Sequence, residues 1–312
     1  MKKTIIGLFA ALLLVGMAGC KNGVESGGGS GSGGGGGTNN STPYTKVDTQ
    51  TIGENAYDIV TFGSFPQSEK TSTVSITSET KTVGSFTYYK GNDNEWYAEL
   101  KSKYYKVEPI KWRVLTTNYD HDGNASTPGK KLLLAENILI NKTYSAGPNN
   151  YENSSIRAYL TGDFFTTAFT QAEQDAIAAT TVINNVASTN PDGNATLWGT
   201  NQYASDTPTS DKIFLLSEQE ATKSDYGFAA YNEYKGDGTH NDSTRIRMTT
   251  AFAQEKAALQ SPTLFNYDDW RLRSSVYNNS NYARYVDFEG DADRSYYVHD
   301  DSIGVVPALC LN

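Results

Sequence analysis

The stretch Asp269–Asn312 reads DWRLRSSVYNNSNYARYVDFEGDADRSYYVHDDSIGVVPALCLN. Two stiff blocks bracket it, Trp270-Arg271-Leu272-Arg273 and Gly304-Val305-Val306-Pro307-Ala308-Leu309. Residues 274–303 between them are chiefly Tyr, Asn, Asp, Ser and Arg. That mixture makes poor core. It makes good contact surface, because Tyr offers large rigid area at low entropy cost while Asn and Ser supply adaptable hydrogen bonds. The stretch predicts a buried frame that displays a polar, tyrosine-rich segment over 270–312. Trp270 is expected to fill core and Arg273 to pair with a buried carboxylate. Gly290 and Gly304 read as punctuation between short strands.

The other end of the chain carries a different signal. Lys2 and Lys3 precede an apolar run from Ile5 to Val15, which is too short to span a bilayer as a helix. Met17-Ala18-Gly19-Cys20 follows and resembles the lipobox of bacterial lipoproteins, with Met17 where Leu is more common. That resemblance implies a signal peptide over 1–19, cleavage before Cys20 and lipidation of Cys20. Two or three acyl chains would then hold the protein in the bacterial cell envelope, on the outer membrane or at the cell surface. Residues 20–45 are rich in Gly and Ser and read as a flexible tether, with a reach of roughly 25–30 Å. Residues 46–312 remain for one globular domain, with ample length for a core.

Composition excludes some functions. The formal charge is −9, and loss of Lys2 and Lys3 would leave 24 basic residues against 35 acidic ones, or −11. Nucleic acid rewards the opposite balance, so no nucleic-acid partner is expected. Cys20 and Cys310 are the two cysteines. With Cys20 lipidated, no intrachain disulfide forms, and Cys310 in its apolar run reads as a small buried hydrophobe.

Between the ends, Asp58–Gln67 reads as a strand closed by a Gly/Pro turn, and residues 68–107 as one or two exposed hairpins. Ile110, Trp112 and Val114 alternate and should face one side. Lys131–Ala135 is a short apolar strand after a loop over 120–129. Asn153 is expected to cap a helix carrying Ile156, Tyr159 and Leu160, which Gly162 should break. Thr170-Gln171-Ala172-Glu173 and Ser217-Glu218-Gln219-Glu220 are capping boxes. Ile213–Leu216 is a buried strand, and residues 250–259 a further helix. Short helices among many short strands predict an α+β fold without a parallel sheet.

Seven blocks in order resemble one family: Phe62–Gln67 (FGSFPQ), Ile110–Leu115 (IKWRVL), Leu132–Glu136 (LLLAE), Glu152–Leu160 (ENSSIRAYL), Asp211–Ser217 (DKIFLLS), Trp270–Ser274 (WRLRS) and Gly304–Leu309 (GVVPAL). The chain so resembles the DUF6273 family of bacterial surface and secreted proteins from Ile59 to Leu311. It departs from the family pattern at Arg271, Ser275 and Val306, where Trp, Pro and Arg are usual. The layout also resembles C-type-lectin-like domains of the formylglycine-generating-enzyme type. That second resemblance implies a C-type-lectin-like domain of short antiparallel strands with a few short helices. It also implies variable residues shown on that scaffold, and possible targeting by a diversity-generating retroelement.

The genetic code adds an argument. Changes confined to the adenines of an Asn codon give Tyr, Asp, Ser, His, Thr or Ile in one step. The segment Tyr277–Ser302 is built mainly from that set, although Glu289 does not fit. Tyr277, Asn278, Asn279, Asn281, Tyr282, Tyr285, Asp287, Asp291, Asp293, Tyr296, Tyr297, His299 and Asp300 are the candidate ligand-binding, variable positions. Ala283, Val286, Gly290, Val298, Gly304 and Val305 are the candidate frame.

Catalytic signals are weak. HExxH, CxxC and GxSxG do not occur, and the formylglycine-generating activity needs a pair of cysteines. His121, His240 and His299 are scattered. Glu289–Asp293 and Asp120–Asn124 hold calcium-like oxygens but complete no EF-hand loop; turn chemistry accounts for them. No cofactor, metal or catalytic residue is assigned. The sequence thus points to a lipid-anchored surface protein, not an enzyme, that presents a Tyr/Asn/Asp-rich face to a protein or glycan. A carbohydrate-active envelope enzyme and a structural envelope lipoprotein are the alternatives.

Overall fold

The computed structural model of the chain describes residues 43–119, 129–194, 196, 200–231, 241–256, 268–292 and 294–312. The signal segment, Cys20, most of the tether, His121, His240, Asp293 and most of the 120–129 loop lie outside the described residues.

In chain order the strands begin with β1 Thr45–Ile52, β2 Asn55–Glu69, β3 Ile76–Val83, β4 Phe86–Gly91, β5 Trp96–Leu100 and β6 Lys103–Tyr119. Next come β7 Lys130–Ala135, β8 Asn137–Ile138, β9 Ile140–Asn141, β10 Thr180–Asn184, β11 Ser205–Asp211 and β12 Ile213–Phe214. The last six are β13 Met248–Thr249, β14 Trp270–Ser275, β15 Tyr282–Val286, β16 Arg294–Tyr297, β17 Gly304–Val305 and β18 Ala308–Leu311.

Nine strands form one antiparallel sheet, ordered β12-β18-β7-β6-β5-β4-β3, with β1 paired to β2 and β2 to β6. β6 organises it. Tyr105 pairs with both Glu69 and Ala98, and Trp112 with both Val60 and Ala135. A residue has one partner per edge, so β2 runs along one edge of β6 while β5 and β7 share the other. The antiparallel strands include a half-barrel. Five strands form a second sheet, β16-β15-β14-β17-β9.

This is mainly β architecture, with 45% of the described residues in strands and 18% in helices. The expected α+β, C-type-lectin-like class of short strands is therefore corrected. Its helical signals are real but describe short covering turns, whereas β2 and β6 run 15 and 17 residues. Two short pairings, β8 with β13 and β14 with β17, are parallel, so parallel contacts are not absent either.

Local readings fared unevenly. Both capping boxes close, at Thr170 with Glu173 and at Ser217 with Glu220. The expected cap at Asn153 falls one residue later. Tyr151–Asn153 makes a 3-10 turn, and Ser154 Oγ accepts the Arg157 N–H. Gly162 does not end that helix; α1 Ser155–Tyr159 continues through a π turn, Leu160–Phe164, into α2 Phe165–Ala168. Ile110 and Trp112 are fully buried, but Arg113 is buried as well and Val114 only half so. A register shift between Val114 and Thr116 breaks the alternation. Arg113 is accommodated by Glu136, with Nε 2.6 Å from Oε1, by the Thr244 carbonyl and by the Tyr57 ring.

Candidate functional site

The carboxyl-terminal sheet joins the two blocks that bracket the polar segment. Trp270 on β14 pairs in parallel with Gly304 on β17. A side chain at 304 would meet the Asp269 carbonyl oxygen at 2.9 Å and Ile138 closer still, so this pairing requires glycine. Every residue of β14 is buried. Trp270 fills core and donates its indole N–H to the Arg245 carbonyl at 3.0 Å. Arg273 pairs with the buried carboxylate of Glu220 and also donates to the carbonyls of Leu215 and Ile183. Glu220 in turn accepts the Tyr119 hydroxyl at 2.6 Å. Cys310 is a free, buried thiol that burial pushes up to about 12.

From this root an antiparallel ribbon, β15 and β16, reaches the sheet edge. Its register sets Tyr282 against Tyr297 and Tyr285 against Arg294. Strand alternation puts Tyr282 and Tyr297 on one face and Tyr285 and Tyr296 on the other. The ring centroids of Tyr282 and Tyr297 are 4.5 Å apart, and those of Tyr285 and Tyr296 6.1 Å apart. Tyr296 also meets Tyr297 edge-on at 5.9 Å, and Tyr297 meets His299 at 5.4 Å. The hydrogen bond with Tyr297 raises the Tyr282 hydroxyl, while burial pushes Tyr285 up to about 12.

Two buried side chains fix the backbone around these rings. Asn149 donates to the carbonyls of Val276, Asn279 and Tyr282, at 3.2, 3.0 and 2.6 Å, and so clamps the β14–β15 turn. Within that turn Asn278 adopts a left-handed conformation, φ +55°, which Asn tolerates well. Arg271, wholly buried, donates to the carbonyls of Tyr297 at 2.6 Å and Asp300 at 3.1 Å, beyond β16. Burial lowers the Arg271 guanidinium to about 10. Neither anchor was found from sequence. Asn149 sits among other loop asparagines, and its targets lie 127–133 residues away. Arg271 had one signal, its departure from the usual Trp of the family pattern.

The thirteen candidate positions now divide. Asn278, Asn279, Asn281, Tyr297 and His299 are exposed; Tyr277, Tyr282, Tyr285, Tyr296 and Asp300 are half-buried. Asp287 and Asp291 are buried and belong to the frame instead. Asp287 Oδ1 accepts the N–H groups of Glu289 and Asp291, and Arg294 Nε lies 3.0 Å from Asp291 Oδ2. Gly290 closes that turn at φ +86°, where a Cβ would stand 2.2 Å from the Asp242 carbonyl oxygen. Asp300 spends Oδ1 on the Ser302 N–H at 2.7 Å. Asp293 lies outside the described residues. Ala283, Val286, Gly290, Val298, Gly304 and Val305 are all buried.

At the base of the ribbon, Asp269 Oδ1 accepts the Phe288 N–H at 2.9 Å. Burial, with Asp268 beside it, pushes the Asp269 carboxyl up to about 7. Among the described residues no group of three or more His, Cys, Asp or Glu side chains is arranged to hold a metal. No helix among them is long and apolar enough to cross a membrane.

No curated protein and no solved structure matches the chain. One family model does match, described as a domain of unknown function, over residues 128–312. That span begins after the FGSFPQ and IKWRVL blocks, so of the resemblance expected from Ile59 to Leu311 the part from residue 128 onward is shown. It contains β7–β18 and the whole of the ribbon and its anchors. Over more than half its length, then, this chain belongs to the DUF6273 family.

Proposed function

We propose that the chain is a lipid-anchored bacterial envelope protein that binds a macromolecular ligand through the β15–β16 ribbon and its loops. The observation that carries the reading is the division within one segment. Ala283, Val286 and Val298 are at most 1% exposed, while Tyr297 between them in the ribbon is 44% exposed. Large aromatic side chains held open on a fixed backbone are how contact surfaces gain area at low entropic cost. Tyrosines on both faces of an edge ribbon suit a partner that packs against the ribbon from either side, so a protein is favoured over a glycan. The exposed and half-buried Tyr, Asn and His positions are also those that adenine-directed diversification by a retroelement would vary. Cys20 is the proposed lipid attachment point, and the domain acts as a binding module rather than a catalyst.

The test uses the full chain in a bacterial host. Incorporation of a clickable palmitate should be lost in Cys20→Ser. Binding of the purified chain to envelope proteins and to a glycan array should be lost in the Tyr282→Ala/Tyr297→Ala double variant with its melting temperature unchanged. Label uptake without Cys20 would remove the anchor. Binding that survives the double variant would remove the ribbon, and glycan-only binding would replace the protein partner.

A further inference from the structure

A second tyrosine-bearing surface lies outside the family match, on the antiparallel meander β3–β4–β5 and the start of β6. Its inner face is core: Tyr88, Ala98 and Tyr105 are at most 2% exposed, and Tyr105 packs edge-on against Phe252 at 5.4 Å. Its outer face is set by register. Thr80 pairs with Tyr89, Thr82 with Thr87, Tyr89 with Tyr97, and Glu99 with Tyr104. Alternation places Thr80, Thr82, Thr87, Tyr89, Glu99 and Tyr104 on that one face, with Tyr97, buried and bonded to Asp93, between Tyr89 and Lys106. The Tyr89 and Tyr104 rings meet across β5 with centroids 5.5 Å apart and planes at 82°. Beside them is a cleft of about 420 Å³ lined by Ser85, Thr87, Tyr89, Glu99 and Lys101 among others.

We propose that this outer face binds a neutral saccharide. Each functional group on it matches one feature of a sugar ring. A half-exposed tyrosine face stacks on the C–H face of a pyranose, and the second ring, at right angles, walls its edge. The Glu99 carboxylate is acceptor-only; it accepts the Tyr104 hydroxyl and keeps lone pairs for a sugar hydroxyl. The threonine hydroxyls donate or accept as needed. The cleft volume falls in the range of about 300–1,000 Å³ usual for small-ligand sites. Charge selects among sugars. Glu99 makes no salt bridge among the described residues, Lys101 is turned to the Glu255 carbonyl at 2.6 Å, and the chain as a whole carries −9. An anionic ligand would meet repulsion, whereas a neutral one would not.

The site does not depend on the ribbon, and the experiment separates them. The full chain is titrated calorimetrically with cellohexaose, chitohexaose and mannohexaose. At least one should bind. Tyr89→Ala should weaken it by about tenfold or more. The exposed Glu99→Gln, which threatens folding less, should also weaken it, with both melting temperatures near the parent's. Tyr282→Ala/Tyr297→Ala should bind like the parent. The inference is overturned if none of the three binds at millimolar concentration, or if binding survives both Tyr89→Ala and Glu99→Gln. Loss only in the Tyr282/Tyr297 variant also overturns it and moves the sugar to the ribbon.

Discussion

The carboxyl-terminal ribbon and the amino-terminal meander are both antiparallel, tyrosine-bearing and at sheet edges, yet they are held in opposite ways. The ribbon's turns hang from side chains outside it, Asn149 and Arg271, both wholly buried. The meander packs its inner face on Phe252 and ties Lys101 and Lys103 to Glu255, while its turns are closed by its own residues. Left-handed Lys101 and Ser102 form its last turn, and Lys90–Glu79 and Lys106–Glu95 bridge its strands at 3.2 Å in solvent. A backbone fixed from beneath leaves its own side chains free to change. A backbone whose turns are closed by its own residues has less of that freedom at those turns. The ribbon is therefore the surface on which sequence can vary without loss of fold.

The largest loss is expected beneath the ribbon, in β14, and the next at its anchor Asn149. Arg273→Met leaves Glu220 buried without its cation and should cost about 3–5 kcal/mol by chemical denaturation. Asn149→Ala removes two N–H donors shared among three carbonyls and should cost about 2–3 kcal/mol. Hydrogen exchange should then quicken at the amides of Tyr282 and Val298 and stay unchanged in β4 and β5.

A smaller effect is tied to pH. The Asp269 carboxyl is raised in the fold from its ordinary 3.8 to about 7, so the folded state binds the extra proton. Its contribution favours folding at low pH and is lost as pH rises through that window. Asp269→Asn can keep the bond from the Phe288 N–H and cannot ionise. It should melt above the parent at pH 8, with the gap closing as pH falls toward 4. A gap that widened on acidification would reverse the assignment. The smallest effects belong to exposed side chains: Lys90→Ala in the meander and Tyr297→Ala in the ribbon should each shift stability by about 0.5 kcal/mol or less.

What could be read in the sequence was local. The capping boxes at Thr170 and Ser217 close within three residues, so their pattern is their mechanism. Trp270 and Arg273 were legible because a Trp and an Arg inside an apolar strand have few other uses. The fold class was not, because short helical signals are easy to see and to overweight, whereas the long pairing of β6 with three strands is a non-local fact. The candidate site was legible as a segment but not residue by residue. Asp287 and Asp291 resemble display residues in composition, and only the turn around Gly290 shows them turned inward. Asn149 and Arg271 were hidden for the same reason: what they hold lies far along the chain or beyond the next strand.

The most direct test of the frame-and-display division is saturation mutagenesis of residues 268–312, scored by protease resistance of the surface-displayed chain. Tyr277, Asn279, Asn281, Tyr282, Tyr297 and His299 should accept most replacements. Asn278 should favour Gly and Asp, and Trp270, Arg271, Arg273, Ala283, Val286, Gly290, Val298 and Gly304 should reject nearly all. Equal intolerance at the two sets would contradict the account, and the ribbon's tyrosines would then be structural rather than a surface free to bind.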